Sequence, residues 1–190
     1  LSFSILLSGI AVSSFLSAIV SFLMYASGEK LKNIYFWHLG SFSYQGWKEV
    51  IINLPYGITG FLAGLFILRG LNVLQLGEET AFFTGVDVEL LKKLCLISAS
   101  LLTASAVAFC GIIGFVGLII PHISRLIIGP DHRNLYVFSA LFGGLYLMVM
   151  DTLARVIIAP SEMPVGIITA LVGGPFFLYL LIKNRKIDFS

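Results

Sequence analysis

Histidine and arginine stand close together in one otherwise apolar stretch, "GIIGFVGLIIPHISRLIIGPDHR", at residues 111–133. His122 could ligate a metal or move a proton, and Arg125 could hold an anion. A metal site needs several ligands within a short distance, and His38 and His132 have no such spacing with His122 or with the cysteines. The signatures of nucleotide-binding loops, serine hydrolases and zinc proteases do not occur in the sequence. We therefore expect no catalytic residue, no metal and no cofactor, and we interpret "PHISR" as the point where a helix leaves the membrane.

An ionisable pair lies in a second apolar stretch, "MDTLARV". Asp151 and Arg155 are spaced i, i+4, so on a helix they share a face and can form an ion pair. Ionisable groups within a membrane segment are costly and usually have a function. Two interpretations stay open: a structural ion pair at the interface, or an outward docking or gating surface that uses Arg155. The other apolar segments lack a central Asp or Glu, which disfavours a proton-coupled transporter.

Small residues recur along the first apolar segment, "SILLSGIAVSSFLSAIVSF". They let helices approach closely, and serines can also form hydrogen bonds within a helical bundle. The alternative is a serine-bearing face that lines a water-filled path for a polar solute, with Ser13, Ser14 and Ser17. A glycine pattern in "GITGFLAG" predicts a helix-packing seam at Gly57, Gly60 and Gly64.

The overall composition decides which kind of element must position these residues. Of 190 residues, 58% are hydrophobic and 12% are charged, and the mean hydropathy is +0.99. Soluble domains carry about 25% charged residues. The chain is therefore expected to be an all-α, polytopic transmembrane bundle in one domain over residues 1–190, with the lipid bilayer as its surroundings. A net charge of +2 is too small to indicate a nucleic-acid partner.

Six apolar segments are candidate membrane spans, which need about 20 residues, and the fourth is short enough that it could be tilted or span only in part. They lie at about residues 3–26, 50–68, 94–112, 115–128, 135–157 and 164–182. The positive-inside rule places the C-terminus in the cytoplasm. That orientation puts eight Lys and Arg inside (Arg69, Lys92, Lys93, Arg125, Arg133, Lys183, Arg185 and Lys186) and four outside (Lys30, Lys32, Lys48 and Arg155). The apolar start at Leu1, with no signal peptide, leads us to expect a part of a longer protein.

Two connections between the spans are expected to contain structure of their own. On the outer side, residues 28–48 include apolar residues at helical spacing, which predicts a short helix on the membrane surface. On the inner side, residues 70–93 predict two helices around a turn at Gly85. Asp87 would cap the second of these, which would finish near Lys92 and Lys93. Such a compact inner pair indicates a docking surface.

Taken together, the motifs resemble the permease subunits of iron–siderophore, haem and vitamin B12 ABC importers, the FecCD type. The resemblance rests on "GFVGLIIPHISRLIIGPDHR", "MDTLARV" and "SEMPVGIITALVGGPFFLYLLIKNR", in that order, and on "QLGEETAFFTGV", where Gln75 replaces a more usual alanine. It covers essentially the whole chain and implies the type II importer permease fold. The chain would match the last six of about ten spans.

The resemblance also implies roles for particular residues. The inner helix pair would be the element that couples to an ATPase, at Leu76, Gly77, Glu78, Glu79 and Gly85. Arg155 would dock acidic residues of an extracytoplasmic substrate-binding protein. The outer helix would lie near the gate, and the span before it would line the translocation path.

The implied function is import across the cytoplasmic membrane of a bacterium or archaeon. The implied partners are cytoplasmic ABC ATPase subunits, a substrate-binding protein and a second permease subunit, identical or different. The permease itself would not be an enzyme, because the ATPase subunits hydrolyse ATP. The alternatives are a secondary carrier and a structural membrane protein without an ATPase partner. A secondary carrier would be expected to show inverted repeats and midplane ion ligands, and neither is evident in the sequence.

Overall fold

The computed structural model describes residues 2–28, 31–43 and 45–185. Over these ranges the chain is all-helical, with eight α-helices and no strand. They are α1 (Ser2–Ala26), α2 (Leu31–His38), α3 (Trp47–Leu74), α4 (Glu78–Phe83), α5 (Val88–Cys110), α6 (Val116–Ile128), α7 (His132–Val156) and α8 (Val165–Arg185).

Four of these helices, α1, α3, α5 and α7, are long and apolar enough to cross a membrane. The other two predicted spans correspond to α6 and α8, whose apolar stretches, Val116–Ile128 and Val165–Leu180, are shorter. The predicted all-α, multi-pass membrane fold is therefore confirmed. The shortness of α6 also agrees with its predicted span, which covered only about residues 115–128.

The chain divides into two compact units, Leu1–His38 and Leu39–Ser190. The first unit contains α1 and α2, and α2 contacts α1. Helix α2 lies where the outer surface helix was predicted, within residues 28–48. Along α1 the described side chains are almost all exposed within this unit.

In the second unit, α3 and α5 lie side by side at glycine positions. A Cβ added at Gly60 would lie 2.7 Å from Cγ of Leu102, and one added at Gly70 would lie 2.8 Å from Cδ1 of Leu91. The absence of a side chain at these points lets the two backbones approach closely. The predicted seam is confirmed at Gly60 and at Gly64, which lies against Tyr136 of α7. At Gly57 an added Cβ would meet no described atom within 4 Å, and its place in a seam stays a prediction.

Helices α6, α7 and α8 form the other half of this unit. Their buried cluster consists of Met150, Ala154, Val165 and Ile168. The segment after α2 joins the two halves at one end: the Ser41 amide donates to the Cys110 carbonyl at 2.9 Å, and the Gly166 amide donates to the Gly40 carbonyl at 3.1 Å.

The turn between α5 and α6 contains a backbone conformation that the sequence did not reveal. Gly111 has φ +71°, as its residue type permits, but Phe115 has φ +67°. A non-glycine residue in the left-handed region is strained and needs support from its surroundings. Phe115 lies against Gly173 of α8, where an added Cβ would overlap the phenylalanine side chain. Packing at Gly173 thus stabilises the unusual turn.

The second unit has two ends that differ in charge. Among the residues whose side chains the structure describes, one end has five Lys and Arg (Arg69, Lys92, Lys93, Arg125 and Arg133) and the opposite end has two (Lys48 and Arg155). We call the first the inner end and the second the outer end, following the positive-inside rule.

Candidate coupling and docking sites

At the inner end, residues 75–87 connect α3 to α5, and we call this segment the coupling segment. It is shorter than the predicted 70–93 pair, because α3 continues to Leu74 and the second predicted helix is the beginning of the long α5. The prediction that a second helix finishes near Lys92 and Lys93 is therefore wrong. The helix is continuous from Val88 to Cys110, so these lysines lie in the first turns of a spanning helix.

Two glycines determine the shape of the coupling segment. Gly77 precedes α4 with φ +112° and Gly85 follows it with φ +82°. Side chains other than glycine rarely adopt these angles. An added Cβ would meet no atom within 4 Å at Gly85, so a substitution there acts through backbone strain rather than through a clash.

The coupling segment is held to the bundle by one buried side chain and several polar contacts. Ala81 is fully buried, and its carbonyl accepts a 3.0 Å hydrogen bond from the Val86 amide. The predicted Asp87 cap is confirmed, since its carboxylate accepts from the Leu90 amide at 2.9 Å. Nζ of Lys92 lies 2.6 Å from Oε1 of Glu78, which links α5 to α4.

The remaining surface of the coupling segment is apolar and acidic, and it is open. Leu76 and Phe82 are each 72% exposed and Phe83 is 85% exposed. A cleft of about 430 Å³ lies beside Phe82, lined by Phe82, Gly85, Val86, Asp87, Val88 and Glu89. Glu79 lines a second cleft together with both phenylalanines. Exposed aromatic side chains with a charged rim are typical of protein-docking surfaces.

Next to the coupling segment lies a set of side chains that sequence reasoning did not bring together. This inner polar cluster consists of Asn72 and Gln75 at the end of α3, and Asp131 and His132 at the beginning of α7. The Asn72 amide donates to Oδ1 of Asp131 at 2.7 Å, and its oxygen accepts from the His132 backbone at 2.8 Å. Nε2 of Gln75 lies 3.0 Å from Nδ1 of His132. The only signals in the sequence were the unusual Gln75 and the "PDHR" turn.

Asp131 is the N-cap of α7. Its carboxylate accepts from the Arg133 amide at 3.0 Å. That backbone hydrogen bond, and then the hydrogen bond from Asn72, hold the pKa of Asp131 below its ordinary value.

At the outer end, Asp151 and Arg155 form the predicted i, i+4 ion pair. Nε of Arg155 lies 2.8 Å from Oδ2 of Asp151, and its Nη1 lies 3.8 Å from Oε1 of Glu162 in the loop that follows α7. The Arg155 side chain is 43% exposed. Arginine has five N–H donors, and these two contacts leave others directed elsewhere. Both earlier interpretations of Arg155 remain compatible with this geometry.

The other predicted residues lie apart from these two sites. Ser13, Ser14 and Ser17 are exposed on α1, and the Ser13 hydroxyl donates to the Ile10 carbonyl at 3.0 Å. Their role in a path stays a prediction.

"PHISR" lies within α6 near its inner end, where the His122 ring packs edge-on to Phe176, 6.4 Å between centroids. Arg125 is exposed in the last turn of this helix. Among the described residues, no three His, Cys, Asp or Glu side chains are grouped as metal ligands would be.

The sequence of this chain is similar to a family of transport proteins and to several of its members. Residues 2–183 match the model of the FecCD transport family. The chain is 49% identical over 184 residues to the cobalamin import system permease protein BtuC of Halobacterium salinarum, covering 97% of this chain and 49% of that protein. It is 41% identical over 183 residues to the hemin transport system permease protein HmuU of Yersinia pestis, covering 96% of this chain and 55% of that protein.

The chain is also similar to a third relative and to one solved structure. The Fe(3+) dicitrate transport system permease protein FecD of Escherichia coli is 38% identical over 179 residues, covering 94% of this chain and 56% of that protein. The solved structure is described as the inward-facing conformation of a transporter of the metal-chelate ABC type. It matches with a TM-score of 0.82 at 37% identity, covering 92% of this chain and 57% of that one. The chain thus spans about half the length of the relatives that it matches.

Proposed function

Because the chain belongs to the FecCD transport family, we propose that it forms part of the permease of a binding-protein-dependent ABC importer. The substrate class is an iron chelate (a siderophore complex or haem) or a corrinoid, in keeping with the names of the relatives. Separate ATPase subunits in the cytoplasm would supply the energy, so this chain would have no catalytic residue of its own.

The observation that carries the proposal is the exposed coupling segment at the inner end. Two phenylalanines and Leu76 face solvent there although they lie outside the spanning helices. Leaving such side chains in water is unfavourable by about 1.5–3 kcal/mol each relative to burying them. A cytoplasmic partner that covers them would gain this free energy. Of the four carboxylates around them (Glu78, Glu79, Asp87 and Glu89), two are ion-paired, Glu78 with Lys92 and Glu89 with Lys93. Glu79 and Asp87 therefore contribute most of any attraction for a partner surface with positive charge.

At the outer end, Arg155 is proposed to dock an acidic group of the substrate-binding protein. Its guanidinium is partly exposed and is held in place by Asp151, so little side-chain entropy would be lost on docking. The partner would use the N–H donors that Asp151 and Glu162 do not occupy. ATP-driven displacement of the coupling segment would then be coupled to release of substrate from the docked protein.

The proposal is tested by replacing Glu78 and Gly85 together with alanine in the complete transporter reconstituted in vesicles. The Glu78 change removes the ion pair with Lys92, and the Gly85 change strains the turn, at a cost of about 1–2 kcal/mol for a left-handed residue. We expect ATP hydrolysis to continue while uptake of a labelled ferric chelate or corrinoid is lost. Gly28→Ala is the matched control, because Gly28 also has a positive φ with open space around it but lies outside the coupling segment. Normal uptake by the Glu78–Gly85 variant would refute the assignment of the coupling segment.

A further inference from the structure

Asn72 connects α3 to α7 at the inner end through hydrogen bonds of both its amide nitrogen and its amide oxygen. Its side-chain N–H group donates to the Asp131 carboxylate at 2.7 Å, and its oxygen accepts from the first backbone N–H of α7 at 2.8 Å. The Asn72 oxygen also lies 2.9 Å from Nδ1 of the His132 ring. All three contacts are with Asp131 or His132, at the N-terminus of α7. The amide thus takes part in the capping of a helix that lies 59 residues further along the chain.

The position of Asn72 places this contact directly beside the coupling segment. Asn72 lies in the last turn of α3, and the coupling segment begins three residues later at Gln75. The Gln75 side chain also reaches the α7 cap, through His132 at 3.0 Å. A displacement of the coupling segment therefore acts on α7 through two side chains with directional hydrogen bonds.

Helix α7 connects this cluster to the outer end. It contains 25 residues, so at 1.5 Å per residue it is about 37 Å long. Its outer last turns carry Asp151 and Arg155. Helix α7 makes a further contact with α3 one turn from the cluster. There the Tyr136 ring stacks on the ring of Phe61 with centroids 4.9 Å apart.

The geometry points to Asn72 as a positioning residue that couples the coupling segment to α7, and so to the outer docking site. This inference rests on the proposed function. It adds that α7 connects the coupling segment to the outer docking site and that Asn72 positions the inner end of this helix. The hydrogen-bonded cap keeps the end of α3 and the beginning of α7 moving as one body. Substrate-binding protein docked at Arg155 and the ATPase at the coupling segment then act on the same helix from its two ends. Any effect of one on the binding affinity of the other is reciprocal by linkage.

The experiment measures the stimulation of ATP hydrolysis by the loaded substrate-binding protein, as a ratio to the basal rate, in the complete transporter in nanodiscs. Asn72→Asp places a second carboxylate next to Asp131 and replaces an attractive contact with repulsion. The double variant Asn72→Asp with Asp131→Asn exchanges the two groups and restores the contact, because asparagine caps helices about as well as aspartate. Asn134→Ala, at an exposed asparagine on the same helix, is the matched control.

We expect the stimulation ratio to fall at least about fivefold in Asn72→Asp, the lower end of typical allosteric coupling. The double variant should recover it, and the control should match the wild type. If Asn72→Asp fails to assemble, Asn72→Ala, which removes the contact without adding repulsion, should give the same loss of stimulation. Full stimulation of either Asn72 variant, or a loss that the double variant does not repair, would overturn the inference. A wild-type complex that binds no ATPase would overturn the proposed function itself, which is a distinguishable result.

Discussion

The role of Arg155 can be decided by comparing three substitutions that change one charge each. Arg155→Gln removes the guanidinium, Asp151→Asn removes the carboxylate that holds it, and Glu162→Gln removes the more distant carboxylate. The ion-pair hypothesis and the docking hypothesis predict the same small effect of the first two changes on stability. They differ on binding of the substrate-binding protein: docking predicts that Arg155→Gln weakens it, and a purely structural ion pair predicts no change.

The expected magnitudes follow from the exposure of the pair. An exposed i, i+4 ion pair contributes about 0.3–0.5 kcal/mol, so neither Arg155→Gln nor Asp151→Asn should lower the free energy of unfolding by more than that. A charge-assisted hydrogen bond to a partner is worth about 1.5–3 kcal/mol. Because Arg155 is 43% exposed and would lie at the rim of the interface, we take the lower value, which corresponds to about a tenfold loss of affinity. Glu162→Gln should leave the affinity unchanged or raise it, since it frees the guanidinium for the partner, whereas Asp151→Asn removes the contact that holds Arg155 in place and should lower the affinity slightly.

The assay is binding of the loaded substrate-binding protein to the transporter in nanodiscs, measured across a salt series. The difference between wild type and Arg155→Gln should be large at about 0.01 M salt, where the Debye length is about 30 Å, and small at about 1 M, where it is about 3 Å. Equal, salt-independent affinities of the two proteins would refute docking at Arg155 and leave the structural ion pair as its role.

Two further predictions concern the inner end. Asp87→Ala removes the cap of α5, which is worth about 1 kcal/mol, so the Leu90 amide should exchange its hydrogen faster, while Glu89→Gln should have little effect. Since its hydrogen bonds lower the pKa of Asp131, its contribution to stability is present above the ordinary value of about 3.9 and is lost as the pH falls through the lower folded-state pKa. Protection of the first turn of α7 from hydrogen exchange should therefore be constant between about pH 5 and pH 8 and decrease in stronger acid. Asp131→Asn should abolish that acid-dependent decrease, and an unchanged acid profile in this variant would contradict the role of the carboxylate.

Much of the fold could be predicted because membrane helices are specified locally. Apolar composition identified the spanning segments, and the caps at Asp87 and Asp131 could be recognised from residue type and position. The i, i+4 spacing of Asp151 and Arg155 likewise determined their ion pair, because both residues lie on one helix. The boundaries were less accurate: α3 continues to Leu74 past the end of its apolar run, since backbone hydrogen bonding does not stop where hydropathy falls.

Composition and spacing alone established a helical membrane protein with an exposed inner turn and an ion pair near its outer end. The tertiary structure alone determined that Phe115 adopts a left-handed conformation, and that Gly173 makes room for it. It also joined Asn72 to Asp131 across 59 positions of sequence. No local pattern predicts such a contact, because its partners meet only after α3 and α7 have packed side by side. The amide and the carboxylate are separate features in the sequence, and the packing of the helices makes them one site.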